Sequence, residues 1–362
     1  MKLFECPICS QRLYFENTRC EQCGCVLGYV AEREELTALG AMGGSLWRAL
    51  DDKGGRFRFC NNAAWDSCNW LIEADEPGDY CRACRLNRTV PDLSDPDNLT
   101  RWRVLERAKH RLVYSLLALG LPLTDRFRDP VSGLAFDFLA GSREDGADTA
   151  VIGHANGVVT IAVEEADDVQ REVNRNELSE PYRTVLGHFR HEVGHYYWDR
   201  LVTPGVLLDT FRNLFGDERR SYSDALAAHY TDGPPDNWRA SHVSSYASAH
   251  PWEDFAETWA HYLHIVDTVE TASYFGMRLD PDAGRDLDVD AATRFANVDP
   301  KDFDALIAAW VSLTYALNCL SLSMGQRELY PFVLAPAALG KMRFVHGLIH
   351  ARAQAGRGFI AQ

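Results

Sequence analysis

Long apolar runs are missing from this chain. No stretch approaches the about 20 consecutive apolar residues of a membrane-spanning helix, and the opening "MKLFECPICSQRL" lacks the apolar h-region of a secretory signal. A cytoplasmic setting without membrane contact is the expectation. Positive charge is also short: 37 Lys and Arg stand against 52 Asp and Glu, a formal net charge of −15 and a pI near 5.2. A surface of that sign repels nucleic acid and anionic lipid, so neither is expected as a partner. The deficit is local. Residues 1–88 hold 11 basic and 13 acidic side chains, residues 89–362 hold 26 and 39. Cysteine is almost absent from the later region, where Cys319 stands alone.

The other nine cysteines lie before residue 85. Without an export signal, clustered CxxC pairs read as metal sites rather than disulfides. "CPIC" supplies Cys6 and Cys9; ten residues later "CEQC" supplies Cys20 and Cys23. Two such knuckles can bring four thiolates onto one tetrahedral zinc. Cys25 is a spare thiol able to replace Cys23. Cys60, Cys68, Cys81 and Cys84 form a second group with a CxxC only in its later half. Segments this short rarely stabilise themselves by core burial, and a metal supplies the folding free energy. Residues 1–88 are therefore expected to be a zinc-ribbon region with sites in 1–30 and 56–88. The intervening "AEREELTALGAMGGSLWRALDDKGG" reads as a short helix and a Gly-rich connector. "GGRFRFCNNAAW" mixes Arg and Phe in a way that can stack on bases, but the acidic balance favours substrate recruitment or a domain contact for the ribbons.

"RLNRTVPDLSDPDNLTRW" has linker composition, and residues 89–362 read as one larger domain. A helix of about 20 residues is expected after Asn98 or Thr100 as N-cap, ending at Gly120. "GLAFDFLAG" reads as a strand. "TAVIGHANGVVTIAV" reads as a hairpin about Ala155-Asn156-Gly157. Helix is expected over 167–202, then from Pro251 at N1, over the apolar "DPKDFDALIAAWVSLTYALNCLSLSM", and near 337–353. The fold class is α+β, mostly helical with a small sheet.

"RTVLGHFRHEVGHYYWDRLV" contains HExxH. Spacing of i, i+4 sets His191 and His195 one turn apart on one helix face, presenting two imidazoles to one ion. Zinc binds neutral imidazole in tetrahedral geometry. Glu192 faces the same cleft and can take a proton from a water that the metal acidifies. Val193 and Gly194 are small, which suits tight packing behind a metal. Val185, Phe189 and Val193 would bury one side of the helix. Residues 157–163 offer an exposed edge strand on which an extended peptide could pair. A third protein ligand is required if one position is to stay open. Leu201 occupies the place of a metzincin histidine, and HxxEH is absent. A carboxylate from the later helix "SSYASAHPWEDFAETWAHYL" is the best source. Glu253 and Glu257 share a face there; one can ligate while the other holds a ligand histidine. Asp254 and His250 are weaker alternatives. His188 could hydrogen-bond near the site or face solvent, His261 and His264 are packing or surface residues, and Tyr196, Tyr197, Trp198, Trp252 and Trp259 are core.

"HEVGH" followed by "Y-x6-E-D-F-A-E" resembles the gluzincin-type peptidases of the lethal-factor kind. The resemblance implies Glu253 as the ligand, Glu257 as its supporting carboxylate and Tyr246 as a tyrosine that stabilises the transition state. More broadly, "RWRVLERAKHRLVYSLLALGLP" and "YPFVLAPAALGKMRFVH" make the whole chain similar to the bacterial zinc-binding metallopeptidase family with an N-terminal zinc-ribbon region. That likeness implies a zincin-like catalytic domain, one catalytic and two structural zinc ions, and a protein or peptide substrate. Two other function classes stand beside peptide-bond hydrolysis: a catalytically silent metal-bearing scaffold, which a peptide library would leave uncleaved, and a nucleic-acid-tethered protease, which DNA would retard in a salt-dependent way.

Overall fold

The computed structural model describes residues 1–140, 153–167, 184–280 and 293–358, with side chains through 351. The architecture is mixed α+β, with Cys-rich sheets preceding a helical region. It separates into two compact units. One comprises Leu3–Ala118 and Pro122–Gln170; the other comprises Met1–Lys2, Leu119–Leu121 and Arg171–Gln362.

The first unit begins with the hairpin of β1 (Phe4–Glu5) and β2 (Arg12–Leu13). An antiparallel five-stranded meander follows: β3 (Val26–Val30), β4 (Glu35–Gly43), β5 (Leu46–Ala49), β6 (Arg56–Phe59) and β7 (Leu71–Glu73). The expected helix after Ala31 is thus two strands. Helix-favouring Glu, Leu and Ala are overridden because β4 pairs on both sides and buries Leu36, Ala38 and Leu39. Gly44 (φ 60°) and Ser45 form the two-residue β4–β5 turn, closed by the Gly43–Leu46 pair, so the Gly-rich stretch is a hairpin rather than a connector. Val30, Leu39, Ala49, Phe57 and Leu71 make the meander's core.

β8 (Asn87–Thr89) leads into α1 (Pro96–Ala118). This helix starts earlier than Asn98 or Thr100. The Asp95 side chain accepts the Asp97 N–H at 2.8 Å, Pro96 follows as the first helical residue, and the Thr100 hydroxyl bonds back to the Pro96 carbonyl. Gly120 ends it at φ 66°. Then come β9 (Ala135–Leu139), β10 (Gly153–Ala155) and β11 (Val158–Ala162), with Asn156 and Gly157 at positive φ in the expected turn. The sheet order is β10-β11-β9-β8. Residues 157–163 are therefore not an edge strand: β11 is flanked by antiparallel β10 and parallel β9. The parallel partner lies too far back in sequence for a local hairpin reading to show it. Residues 149–152 of the expected hairpin and 168–183 of the expected helix lie outside the described residues.

The second unit is built on α2 (Val185–Leu201), α3 (Val206–Phe215), α4 (Tyr222–Asp232) and α5 (Pro251–Tyr274). A short ladder of β12 (Arg278–Leu279) and β13 (Thr293–Arg294) precedes α6 (Phe303–Ser323) and α7 (Pro336–Gly358). α5 is the central element, burying Phe255, Trp259, Tyr262, Leu263 and Ile265. Tyr197 stacks on Trp259, ring centroids 4.8 Å apart, tying α2 to α5. α6 buries Leu306, Trp310 and Leu313 but exposes Val311, Tyr315, Leu320 and Leu322. It is long and apolar enough, by length and composition alone, to cross a membrane. The expectation that nothing approached that limit fails because scattered Ser and Thr interrupt the run without making the helix polar.

Candidate metal and catalytic site

Thr184 starts α2 by accepting the Gly187 N–H at 2.9 Å. Val185, Phe189, Val193 and Tyr197 bury one stripe, and the HExxH residues lie on the turn between. His250 caps α5, accepting the Trp252 N–H at 3.1 Å, and Pro251 takes the first helical position. Glu253 and Asp254 fall in the first turn, where the helix dipole favours negative charge. At the crossing, an added Cβ on Gly194 would lie 2.9 Å from Ala256 Cα, so glycine is what allows this approach. Ala256 sits between Glu253 and Glu257, and the close contact presents both carboxylates to α2.

His191, His195 and Glu253 each place one ligand atom within 4.8 Å of the other two. His191 Nε2 lies 3.0 Å from Glu253 Oε2, and His195 Nε2 lies 3.5 Å from Glu253 Oε1. A tetrahedral ion with ligands at about 2.0–2.1 Å spaces its donors by roughly 3.3 Å, so the set fits zinc. Glu257 Oε1 is 2.7 Å from His191 Nδ1. His191 donates Nδ1–H to it, which turns Nε2 towards Glu253 within the ligand cluster. Glu257 is itself fixed by the Ser244 hydroxyl at 2.6 Å. Burial would raise the Glu253 pKa, but the neighbouring His195 and His191 hold it well below the usual carboxylate range. Burial likewise opposes charging His191, and its bonds to Glu253 and Glu257 outweigh that, raising its pKa.

Glu192 Oε1 is 3.2 Å from His188 Nε2, while its buried Oε2 has no hydrogen-bond partner among the described residues. Burial pushes its pKa up; His188 and the two histidine ligands bring it below normal. The Tyr246 ring lies 5.9 Å from the His191 ring, centroid to centroid. The Tyr222 hydroxyl donates to Glu253 Oε1 at 2.7 Å. Sequence reasoning passed over Tyr222 and Ser244, which sit outside both motif helices. Of the alternative ligands, Asp254 is paired with Lys341 at 2.5 Å and His250 is spent on capping. His261 meets the Tyr330 hydroxyl at 2.6 Å and His264 bonds to Arg190, away from the ligand set.

In the other unit, Cys6, Cys9, Cys20 and Cys23 bring their sulfurs together, as do Cys60, Cys68, Cys81 and Cys84. Sulfur pairs at 3.7 Å (Cys6–Cys23), 3.6 Å (Cys9–Cys20) and 3.8 Å (Cys68–Cys81) match the about 3.8 Å edge of a tetrahedron with 2.3 Å zinc–sulfur bonds. Cys25 is half-buried and outside the first set.

Residues 3–95 match a zinc-ribbon domain family, and residues 98–348 match the family described as "Putative zinc-binding metallo-peptidase". Uncharacterized proteins of Mycobacterium bovis and Mycobacterium tuberculosis are 42% identical over 350 residues, 96% of this chain and 95% of theirs. No solved structure matches. With two-thirds of its length inside that match and a His-His-Glu cluster suited to zinc, the chain belongs to the zinc-binding metallopeptidase family.

Proposed function

We propose that this protein hydrolyses peptide bonds in a protein or peptide substrate, using His191, His195 and Glu253 as zinc ligands and Glu192 as the general base. The observation that carries the reading is the ionised Glu192 carboxylate, with one unpartnered buried oxygen, next to a ligand set that leaves a coordination position open. Packing of the HExxH helix α2 against the glutamate-bearing α5 supports a zincin-like reading of the fold.

When bound, zinc supplies Lewis acidity, lowering a water's pKa from about 15.7 towards about 7 and polarising a carbonyl. Glu192 accepts the proton of the attacking water on Oε2 and returns it to the leaving amine as the C–N bond breaks. His188 orients that carboxylate. Glu257 fixes the His191 tautomer and ring. Tyr246 keeps its proton because burial and the nearby Glu253 charge raise its pKa. A phenol in that state donates to a developing oxyanion. Tyr222, by contrast, is committed to Glu253 and holds the ligand in place. The zinc ribbons recruit the substrate or a protein partner, and a cytoplasmic location suits their reduced thiols.

Incubating purified protein with a peptide library, wild type beside Glu192→Gln, tests the reading. Cleavage by the wild type is expected, with Glu192→Gln keeping its zinc and losing cleavage. Equal cleavage by both proteins removes Glu192 as the base.

A further inference from the structure

Helix α1 puts three ionisable side chains into the wall of the second cysteine site. Glu106, Lys109 and His110 are 0%, 0% and 4% exposed. Three of the four sulfurs there accept a backbone N–H: Cys60 from Cys81 at 3.4 Å, Cys68 from Trp70 at 3.3 Å, and Cys81 from Cys84 at 3.4 Å. Cys84 Sγ instead faces Glu106 Oε2 and His110 Nε2, each at 3.5 Å.

The proton on His110 can be assigned. Nδ1 is 2.6 Å from the Glu106 carbonyl oxygen. A carbonyl only accepts, so Nδ1 carries the hydrogen, and in its neutral form the ring turns an Nε2 lone pair towards Cys84. A ring N–H given to a backbone carbonyl is the usual way a metal-binding histidine is oriented. Glu106 is split in the same fashion. Its Oε1 is occupied by Lys109 Nζ at 2.5 Å and Asn87 Nδ2 at 3.0 Å, which leaves Oε2 to Cys84. A thiolate and a carboxylate 3.5 Å apart in a buried setting need a proton or a cation between them, and a bound metal supplies the cation when Cys84 gives up its proton. Lys109 sits on the far oxygen.

The spacing suits a metal. An ion with sulfur at about 2.3 Å and nitrogen or oxygen at about 2.0–2.1 Å sets sulfur-to-nitrogen and sulfur-to-oxygen separations near 3.5 Å. Charge agrees. Four thiolates, one carboxylate and one ammonium sum to −4, so one divalent ion leaves −2 in the interior and two leave the cluster neutral. We propose that Cys84, Glu106 and His110 hold a further divalent ion of zinc's class, joined through the shared Cys84 sulfur to the ion of the Cys60–Cys68–Cys81–Cys84 site. The metal pair then fastens α1 to the ribbon through ligands running from residue 60 to residue 110.

The test is zinc per full-length chain after dialysis. His110→Ala and Glu106→Gln are each expected to hold one ion fewer than wild type. The Glu253→Ala substitution alters the total but not this difference, so failure of the catalytic reading stays distinguishable. Equal zinc in wild type and His110→Ala overturns the proposal and leaves His110 as an N–H donor to the thiolate. Should either variant misfold, cadmium NMR of the metal-substituted wild type decides. Two resonances split by coupling across a common sulfur support the pair, and unsplit resonances throughout overturn it.

Discussion

Replacing Gly194 by alanine separates two effects that the sequence makes look alike. On helix propensity alone the change stabilises by about 1 kcal/mol. The crossing opposes it. The new Cβ would lie 2.9 Å from Ala256 Cα and 3.3 Å from Ala256 Cβ and O, against the about 3.5–4.0 Å of ordinary carbon contacts. All three contacts are backbone or a methyl on a packed helix, so no flexible side chain can yield. α5 must move away by roughly half an ångström or more, at an overpacking cost of about 1–3 kcal/mol. The net is a destabilisation of about 0–2 kcal/mol, or a Tm lower by up to about 8 °C for a unit of this size. Ala256 carries Glu253 and Glu257 with it, and metal sites tolerate only about 0.2 Å in ligand distance. Zinc affinity at this site is therefore expected to fall at least about tenfold, read by chelator competition, with calorimetry reporting Tm. A variant with a raised Tm and unchanged zinc affinity would refute the tight α2–α5 contact as the feature that assembles the ligands.

Glu253→Ala is expected to lose one zinc per chain, whereas Glu257→Ala keeps it with about 10–100-fold weaker affinity; the reverse pattern in metal analysis exchanges their roles. Tyr246→Phe is expected to lower kcat with KM little changed, and Tyr222→Phe to speed zinc release; a Tyr222→Phe enzyme that loses kcat at full zinc occupancy reassigns the oxyanion donor. Stripping the cysteine sites with a strong chelator is expected to expose residues 3–88 to protease while metal restores protection; unchanged resistance argues against metal-dependent folding. Burial pushes the His261 pKa down to about 4, so the folded state resists protonation that the unfolded chain accepts near 6.5. Its contribution is fully present above pH 6.5 and is lost as pH falls towards 4. Relative to His261→Gln, wild type is expected to lose on the order of 3 kcal/mol across that window in denaturant titrations. Parallel curves for the two proteins would contradict this.

Legibility in the sequence followed the range of the interaction. Pairs set by one helical turn could be read directly: His191 with His195, and Glu253 with Glu257. The same holds for cysteine knuckles two residues wide and for the Asn156-Gly157 turn. Apart from the cysteine groups and the joining of Glu253 to the two histidines, which a family resemblance supplied, readings that needed a distant partner failed or were never made. Residues 35–49 carry helix formers, and only pairing with β3 and β6 turns them into strands. β11 looks like a hairpin edge until β9 joins it in parallel. Tyr222 reaches Glu253 across 31 residues, from a helix start with no motif of its own. The Cys84–Glu106–His110 cluster joins a ribbon knuckle to a helix read as the start of another domain.

The residues that begin α5 also aim its ligand. His250 caps the helix with Nδ1 and turns Nε2 to the Arg220 carbonyl, 3.2 Å away, so the entry of the chain is fixed at both nitrogens. Pro251 then sets φ for the first turn, and Glu253 follows where the dipole favours an anion. A register slip of one residue would rotate every side chain by about 100°. That would turn Glu253 away from the histidines and replace Ala256 with a larger neighbour against Gly194. The cap, the small-residue crossing and the carboxylate pair therefore require one another. Changes at His250 are expected to reach the metal through geometry, although this residue lies outside the ligand set.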